Sequence, residues 1–204
     1  MIGNYTTLEG DSLDYDLLYR AAQKSKDIDG LVCEIGTRKG GSLAYIIDAL
    51  QHTNKHIIAI DPYGNIEYQS TEHDFVRLDY TNDMKHEAMM NIHAYVRNKG
   101  VNFTFFNLED TEFFKRYDDG VPVYNQHKQV LNTYSFVFYD GPHDVTSIMD
   151  ELFFFMSRSV SGTVYVFDDI LSYPHNEIDA YLLNNGFALL EQGAQQRKAS
   201  YIKQ

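Results

Sequence analysis

The chain has 204 residues, 44% of them hydrophobic, and a formal net charge of -12. That length suits a single domain over 1–204 with a substantial core. The acidic balance excludes nucleic-acid and membrane-surface partners, because a negative surface repels phosphate backbones and anionic headgroups. Cys33 is the sole cysteine, so no internal disulfide forms and a reducing, cytoplasmic setting is expected, with the thiol a small buried hydrophobe. The first residues lack a basic start and an apolar core, so no signal peptide is read, and no apolar run reaches membrane-spanning length.

Residues 1–29 read as a helical extension. Leu13, Leu17, Leu18 and Ala21 make an apolar stripe on a helix over 12–26. A strand follows at 31–35, then a helix over 42–52 with Ser42 as N-cap, then a strand at 56–60. The polar, Tyr-rich stretch 65–81 reads as a loop or lid. A helix over 82–99 stops at Gly100, placed as a C′ glycine, and a strand spans 102–106. Residues 111–134 carry no clear period. Strand 135–139, helix 144–158, strand 163–167 and a short helix near 175–184 complete the alternation, and 187–190 with 199–202 read as an antiparallel hairpin. The aromatic run Phe153-Phe-Phe155 reads as core packing. The fold class is α/β, a doubly wound, mostly parallel sheet of seven strands with a C-terminal antiparallel hairpin.

Three clusters sit at the ends of apolar runs. Glu34-Ile-Gly36-Thr-Arg-Lys-Gly40-Gly41-Ser42 follows the first strand; Asp140-Gly-Pro-His143 follows the fourth; Asp168-Asp169 follows the fifth. Ligands of such sheets bind beyond the carboxyl ends of the strands, so the clusters converge on one site. Gly36 and Gly40 let backbone approach a ligand closely, and the helix after them aims its first amides there. Asp61, at the next strand end, can accept both ribose hydroxyls of a nucleoside. Glu34 suits a ligand with an ammonium group. Asp140, Asp168 and Asp169 repel one another in a cleft and call for a cation; hard oxygen donors in incomplete number suit Mg²⁺.

Each feature also has a plain structural reading. The glycine loop is then a strand-to-helix turn, Asp61 a turn residue before Pro62, and the two adjacent acids helix or turn caps. Three readings stand for His143: general base, fourth metal ligand, or helix-start residue without a role. Tyr63, Tyr68, Tyr80 and Tyr173 lie near cleft loops and could stack on a flat or sugar-like substrate. The other seven histidines lack ligand-like spacing.

Over residues 30–204 the pattern resembles the class I S-adenosylmethionine-dependent methyltransferases, which are Rossmann-like. Two metal-dependent O-methyltransferase groups are similar, the catechol and caffeoyl-coenzyme A type and the macrocin and mycinamicin sugar type. The sugar type is closer at Arg38-Lys-Gly-Gly41 and Asp140-Gly-Pro-His143. The resemblance implies that Glu34 and Gly36 lie by the methionine part of the cofactor, with Thr37, Arg38, Gly40, Gly41 and Ser42 in the same loop. It implies Asp61 on the ribose, Pro62 and Tyr63 beside the adenine, and Leu108 and Glu109 on its other face. Asp140, Asp168 and Asp169 would bind Mg²⁺, and Asp140 would share in catalysis. His143 stands where the catechol type has a lysine base and the sugar type a histidine. A usual Pro-Gly-Gly before strand five is Ser161-Gly162 here, and Pro142 replaces a polar residue.

The implied activity is Mg²⁺-dependent methylation of a small-molecule hydroxyl, sugar or catechol-like, by a chain whose relatives often form homo-oligomers. The alternatives are an NAD-linked oxidoreductase, which lacks its Gly-x-Gly-x-x-Gly here, and a non-catalytic cofactor-binding or partner module.

Overall fold

The computed structural model describes residues 8, 10–68 and 76–204, without the side chains of 65–68 and 76–79. In chain order the elements are α1 (Tyr15–Lys24), β1 (Leu31–Ile35), α2 (Gly41–Ala49), β2 (His56–Ile60), β3 (Gly64–Tyr68), β4 (Val76–Tyr80), α3 (Asn82–Val96), β5 (Asn102–Phe106), α4 (Asp110–Arg116), β6 (Val121–Tyr124), β7 (Lys128–Leu131), β8 (Tyr134–Tyr139), α5 (Val145–Met156), β9 (Ser159–Phe167), α6 (His175–Asn184), β10 (Phe187–Gln192) and β11 (Ala199–Lys203). Seven strands form one sheet in the order β5-β2-β1-β8-β9-β11-β10. The first five run parallel, and β11 pairs antiparallel with both β9 and β10.

The central strands are apolar on both faces because both faces are covered. Leu31, Cys33, Ile35, Val137, Tyr139, Tyr165 and Phe167 pack with α4, α5 and α6 residues such as Phe113, Phe155 and Ile178. Val32, Phe136, Phe138, Val164 and Val166 pack with α1, α2 and α3 through Leu17, Leu43 and Ile92. Residues Leu17, Leu18, Ala21 and Ala22 of α1 are therefore core, and truncating any of the larger ones to Ala should cost about 2–5 kcal/mol. Phe154 and Phe155 are buried as expected, whereas Phe153 turns outward.

Three local expectations are corrected. Where a loop or lid over 65–81 was expected, β3 and β4 form an antiparallel ladder from Gly64↔Tyr80 to Tyr68↔Val76; its connecting residues 69–75 lie outside the described residues. The patternless stretch 111–134 holds α4 and the β6–β7 hairpin. Ser42 does not cap α2: Gly40 does, with φ 81°, and Ser42 is already inside the helix. A Cβ on Gly40 would lie 2.8 Å from Ile92 side-chain atoms, so that glycine serves packing as well as conformation.

Chain order reverses between β1 and β8, which opens a crevice at their carboxyl ends. Hydrogen bonding continues one residue past each strand. Gly36 N–H donates to Ile60 O, Asp61 N–H to Phe106 O, Asp140 N–H to Ile35 O, and Asp168 N–H to Tyr139 O. These rungs set the residues that follow the strands side by side along the crevice floor.

Candidate active site

A cleft of about 430 Å³ occupies this crevice, lined among others by Gly36, Arg38, Asp61, Pro62, Tyr80, Glu109, Asp140, His143, Asp168, Asp169 and Arg197. The three clusters picked out in the sequence thus meet in one place. Gly36, with φ 83°, is where two of them touch: a Cβ there would lie 2.0 Å from the Asp140 carbonyl oxygen. Its lack of a side chain lets the β1 and β8 loops close on each other.

On the β1–β2 side, Asp61 is nearly fully buried. Its Oδ2 accepts the backbone N–H groups of Thr37 (2.9 Å) and Arg38 (3.0 Å), and Oδ1 accepts that of Tyr63 (2.9 Å). Burial raises its pKa, and these three donors oppose the rise. Glu34 is fully buried under the loop. Its Oε1 accepts the Ser42 hydroxyl at 2.7 Å, while its Oε2 and the Thr37 hydroxyl, which interacts with this carboxyl, make no bond of good hydrogen-bond geometry among the described residues. Burial, with the Asp61 charge adding, pushes Glu34 up to about 8 against the opposing Ser42 bond. Unspent buried polar atoms beside a ribose-type carboxylate fit a ligand with an ammonium group and a nucleoside.

Not every expected contact faces the cleft. Tyr63 is buried against Tyr80 and Phe105, and its hydroxyl donates to the Arg38 carbonyl. It braces the loop and is not an open stacking ring. Leu108 packs against the core, leaving Glu109 at the cleft wall. Tyr173 is buried, with its hydroxyl donating to the Asp168 carbonyl at 3.3 Å. Of the four loop tyrosines Tyr80 lines the cleft, and the side chain of Tyr68 lies outside the described residues. His175, one of the seven histidines without ligand-like spacing, is buried between the Tyr173 and Tyr201 hydroxyls.

On the β8–β9 side the acids are arranged differently from the expected open metal set. Asp168 is buried, with Oδ1 accepting the Ser12 hydroxyl (2.9 Å) and the Asp169 N–H (2.8 Å) and Oδ2 accepting the Lys198 ammonium (2.7 Å). Asp169 lies in an ion pair with Arg197, without hydrogen-bond geometry, and its Oδ2 lies 3.4 Å from His143 Nε2. Asp169 adopts φ 52°, a strained value for a non-glycine residue. Burial raises the pKa of Asp140, and the charge of Asp168 adds to the rise while Lys198 opposes it. Among the described residues no group of three or more His, Cys, Asp or Glu is arranged to hold a metal ion. With Asp168 and Asp169 taken up by two cations of the chain itself, the set does not fit resident Mg²⁺.

Ser12, Arg197 and Lys198 were missed in the sequence. Their one signal was the adjacent pair Arg197-Lys198 opening the last hairpin strand, matched to the adjacent pair Asp168-Asp169.

No curated protein matches the chain. Solved structures do match it in fold. An O-methyltransferase from Bacillus cereus in complex with SAH shares 12% identity at a TM-score of 0.61, over 98% of this chain and 85% of that one. The O-methyltransferase TomG from Streptomyces achromogenes, in complex with SAM, shares 13% at 0.61, over 97% and 82%. An rRNA methylase from Streptococcus thermophilus shares 8% at 0.53, over 96% and 99%. Such a spread of acceptors shows that the fold does not choose one. The sequence profile described as "Methyltransferase domain" matches residues 33–170, which takes in the glycine loop, Asp61, Asp140 and both β9 acids. That match, over a doubly wound sheet with its cleft at the β1/β8 reversal, places the chain in the methyltransferase-domain family as a class I S-adenosylmethionine-dependent methyltransferase.

Proposed function

We propose that the chain methylates a hydroxyl of a small molecule, sugar or catechol-like, in the cytoplasm. The observation that carries this reading is the pairing of His143 with Asp169 at the cleft, opposite the Glu34–Asp61 loop. O-methyltransferases among the fold neighbours support the choice of oxygen, and the net charge of -12 supports a small acceptor over a nucleic acid. No described helix is long and apolar enough to cross a membrane.

Bound in the cleft, S-adenosylmethionine supplies an electrophilic methyl group on a sulfonium. Asp61, whose three backbone donors leave one acceptor position free on Oδ1, would accept a ribose hydroxyl there. Glu34 would lie beside the ammonium group of the cofactor's methionine part. With Nε2–H turned toward Asp169, His143 has Nδ1 left to take the acceptor's hydroxyl proton. Asp169, itself flanked by Arg197, stabilises the imidazolium. Much of the acceleration comes from holding two reactants in line.

Calorimetric titration of S-adenosylhomocysteine tests the cofactor half: micromolar binding, about -8 kcal/mol, is expected, and no binding overturns the reading. A panel of sugar and catechol hydroxyls with labelled cofactor tests the other half. His143→Ala should lower kcat about 100-fold with homocysteine-adduct affinity unchanged. Binding without transfer to any acceptor would favour the non-catalytic module.

A further inference from the structure

We propose that Lys198 is the chain's own replacement for the divalent cation that its acidic cluster resembles a site for, and that methyl transfer here needs no metal. This inference rests on the methyltransferase reading above.

The placement follows from strand register. β11 pairs with β9 through Ala199↔Phe167, Ser200↔Val166 and Tyr201↔Tyr165. Continued outward past the last pair, that register sets Lys198 against Asp168 and Arg197 against Asp169, and both contacts are made. Two adjacent cations thus answer two adjacent acids across one ladder.

The lysine is fixed in place. It is 0% exposed and its partner Asp168 is 1% exposed. Its ammonium donates to Asp168 Oδ2 at 2.7 Å and to Ser12 Oγ at 2.5 Å, and lies 5.0 Å from the Tyr15 ring and 5.4 Å from the Phe138 ring. The turn that carries it is clamped from the other end of the chain. Buried Asp14 accepts the N–H groups of Gln195 (3.0 Å) and Arg197 (2.9 Å), and Gly193 N–H donates to Lys198 O at 2.8 Å. A Cβ on Gly193 would lie 2.1 Å from Asp14 Oδ2.

A divalent ion bound through Asp168 would have to settle beside this ammonium, and like charges at such range in a buried setting repel strongly. Lys198 and Arg197 together supply counter-charge to Asp168 and Asp169. Being buried, Lys198 cannot reach an acceptor, so it is a positioning residue that holds the Asp168 carboxylate in place. Arg197, at the cleft wall, is the cation an acceptor oxygen meets.

The probe is Mn²⁺, followed by its free-ion paramagnetic resonance signal as it is added to the wild-type chain with S-adenosylhomocysteine present. No saturable uptake through the millimolar range is expected. Uptake of one equivalent that disappears in Asp168→Asn would overturn the proposal. Homocysteine-adduct binding in the same sample separates the two readings: its failure removes the methyltransferase assignment, whereas Mn²⁺ uptake alongside intact binding removes only the cation replacement. Lys198→Ala should acquire Mn²⁺ affinity at least about tenfold above wild type, and Lys198→Arg, which keeps the charge, should not. A folded Lys198→Ala chain with no gain would also overturn it. If that variant does not fold, the wild-type titration decides alone.

Discussion

Asp61 and Asp168 follow two strands of one sheet, β2 and β9, with β1 and β8 between them, and both are buried carboxylates, yet they are held differently. Asp61 is gripped by main-chain N–H groups of Thr37, Arg38 and Tyr63. Asp168 accepts one backbone N–H, that of Asp169, and otherwise depends on side-chain donors, Ser12 and Lys198, from distant parts of the sequence. Backbone donors come with the loop's shape and survive most substitutions. Side-chain donors vanish with one residue. The β1–β2 half should therefore tolerate changes around its acid, and the β8–β9 half should not.

The harshest way to break this contrast is to remove Lys198. Lys198→Ala strands a buried carboxylate and should cost about 3–5 kcal/mol in denaturant unfolding. The double variant Asp168→Asn with Lys198→Met should recover a good part of that loss, because no charge is left unpaired. A double variant no more stable than Lys198→Ala would show that the lysine acts through packing alone. Next comes Gly36→Ala, which adds a Cβ 2.0 Å from the Asp140 carbonyl at φ 83°. Strain of about 1–3 kcal/mol should appear together with weaker adduct binding, since this glycine is where the halves meet.

A gentler probe sharpens the comparison through pH. Folding raises Glu34 from the ordinary glutamate range to about 8. A raised pKa contributes stability that is complete below the unfolded value and is lost as pH climbs through the folded one. Stability should therefore fall between about pH 4.5 and 8, with Glu34 contributing up to about 1.4 kcal/mol per pH unit. Glu34→Gln should flatten that share of the slope in melts taken across the range, and an unchanged slope would mean the acid is ionised in the free loop. The smallest effect belongs to Arg20, which pairs with Asp16 (2.9 Å) and Glu191 (2.5 Å) in solvent. Arg20→Ala should cost no more than about 1 kcal/mol, which makes it the control for an ion pair that joins the same two ends of the chain without burial.

What the sequence disclosed follows the same division. Apolar runs located all five parallel strands, four of them within one residue, because burial leaves a hydrophobic signature; β9 begins at Ser159, four residues before the apolar run at 163–167. Asp61 and the glycine loop were legible because their partners are near in sequence and their chemistry lies in the backbone. Lys198 was not, since its meaning depends on a ladder register that no local pattern states. The acids alone therefore suggested a metal. Tyr63 and Tyr173 misled for a related reason: a loop tyrosine reads as exposed until a hydroxyl partner, here the carbonyls of Arg38 and Asp168, gives it a place inside. The β3–β4 ladder and the β6–β7 hairpin escaped notice because their strands are only four or five residues long, too short for a period to stand out.

The clamp of Asp14 and Ser12 on the turn bearing Lys198 ties two segments that are far apart in sequence into one structural unit. Freeing residues 12–14 from that turn would loosen the hold on Lys198, so a change in the opening segment would be felt at Asp168, where the two segments meet.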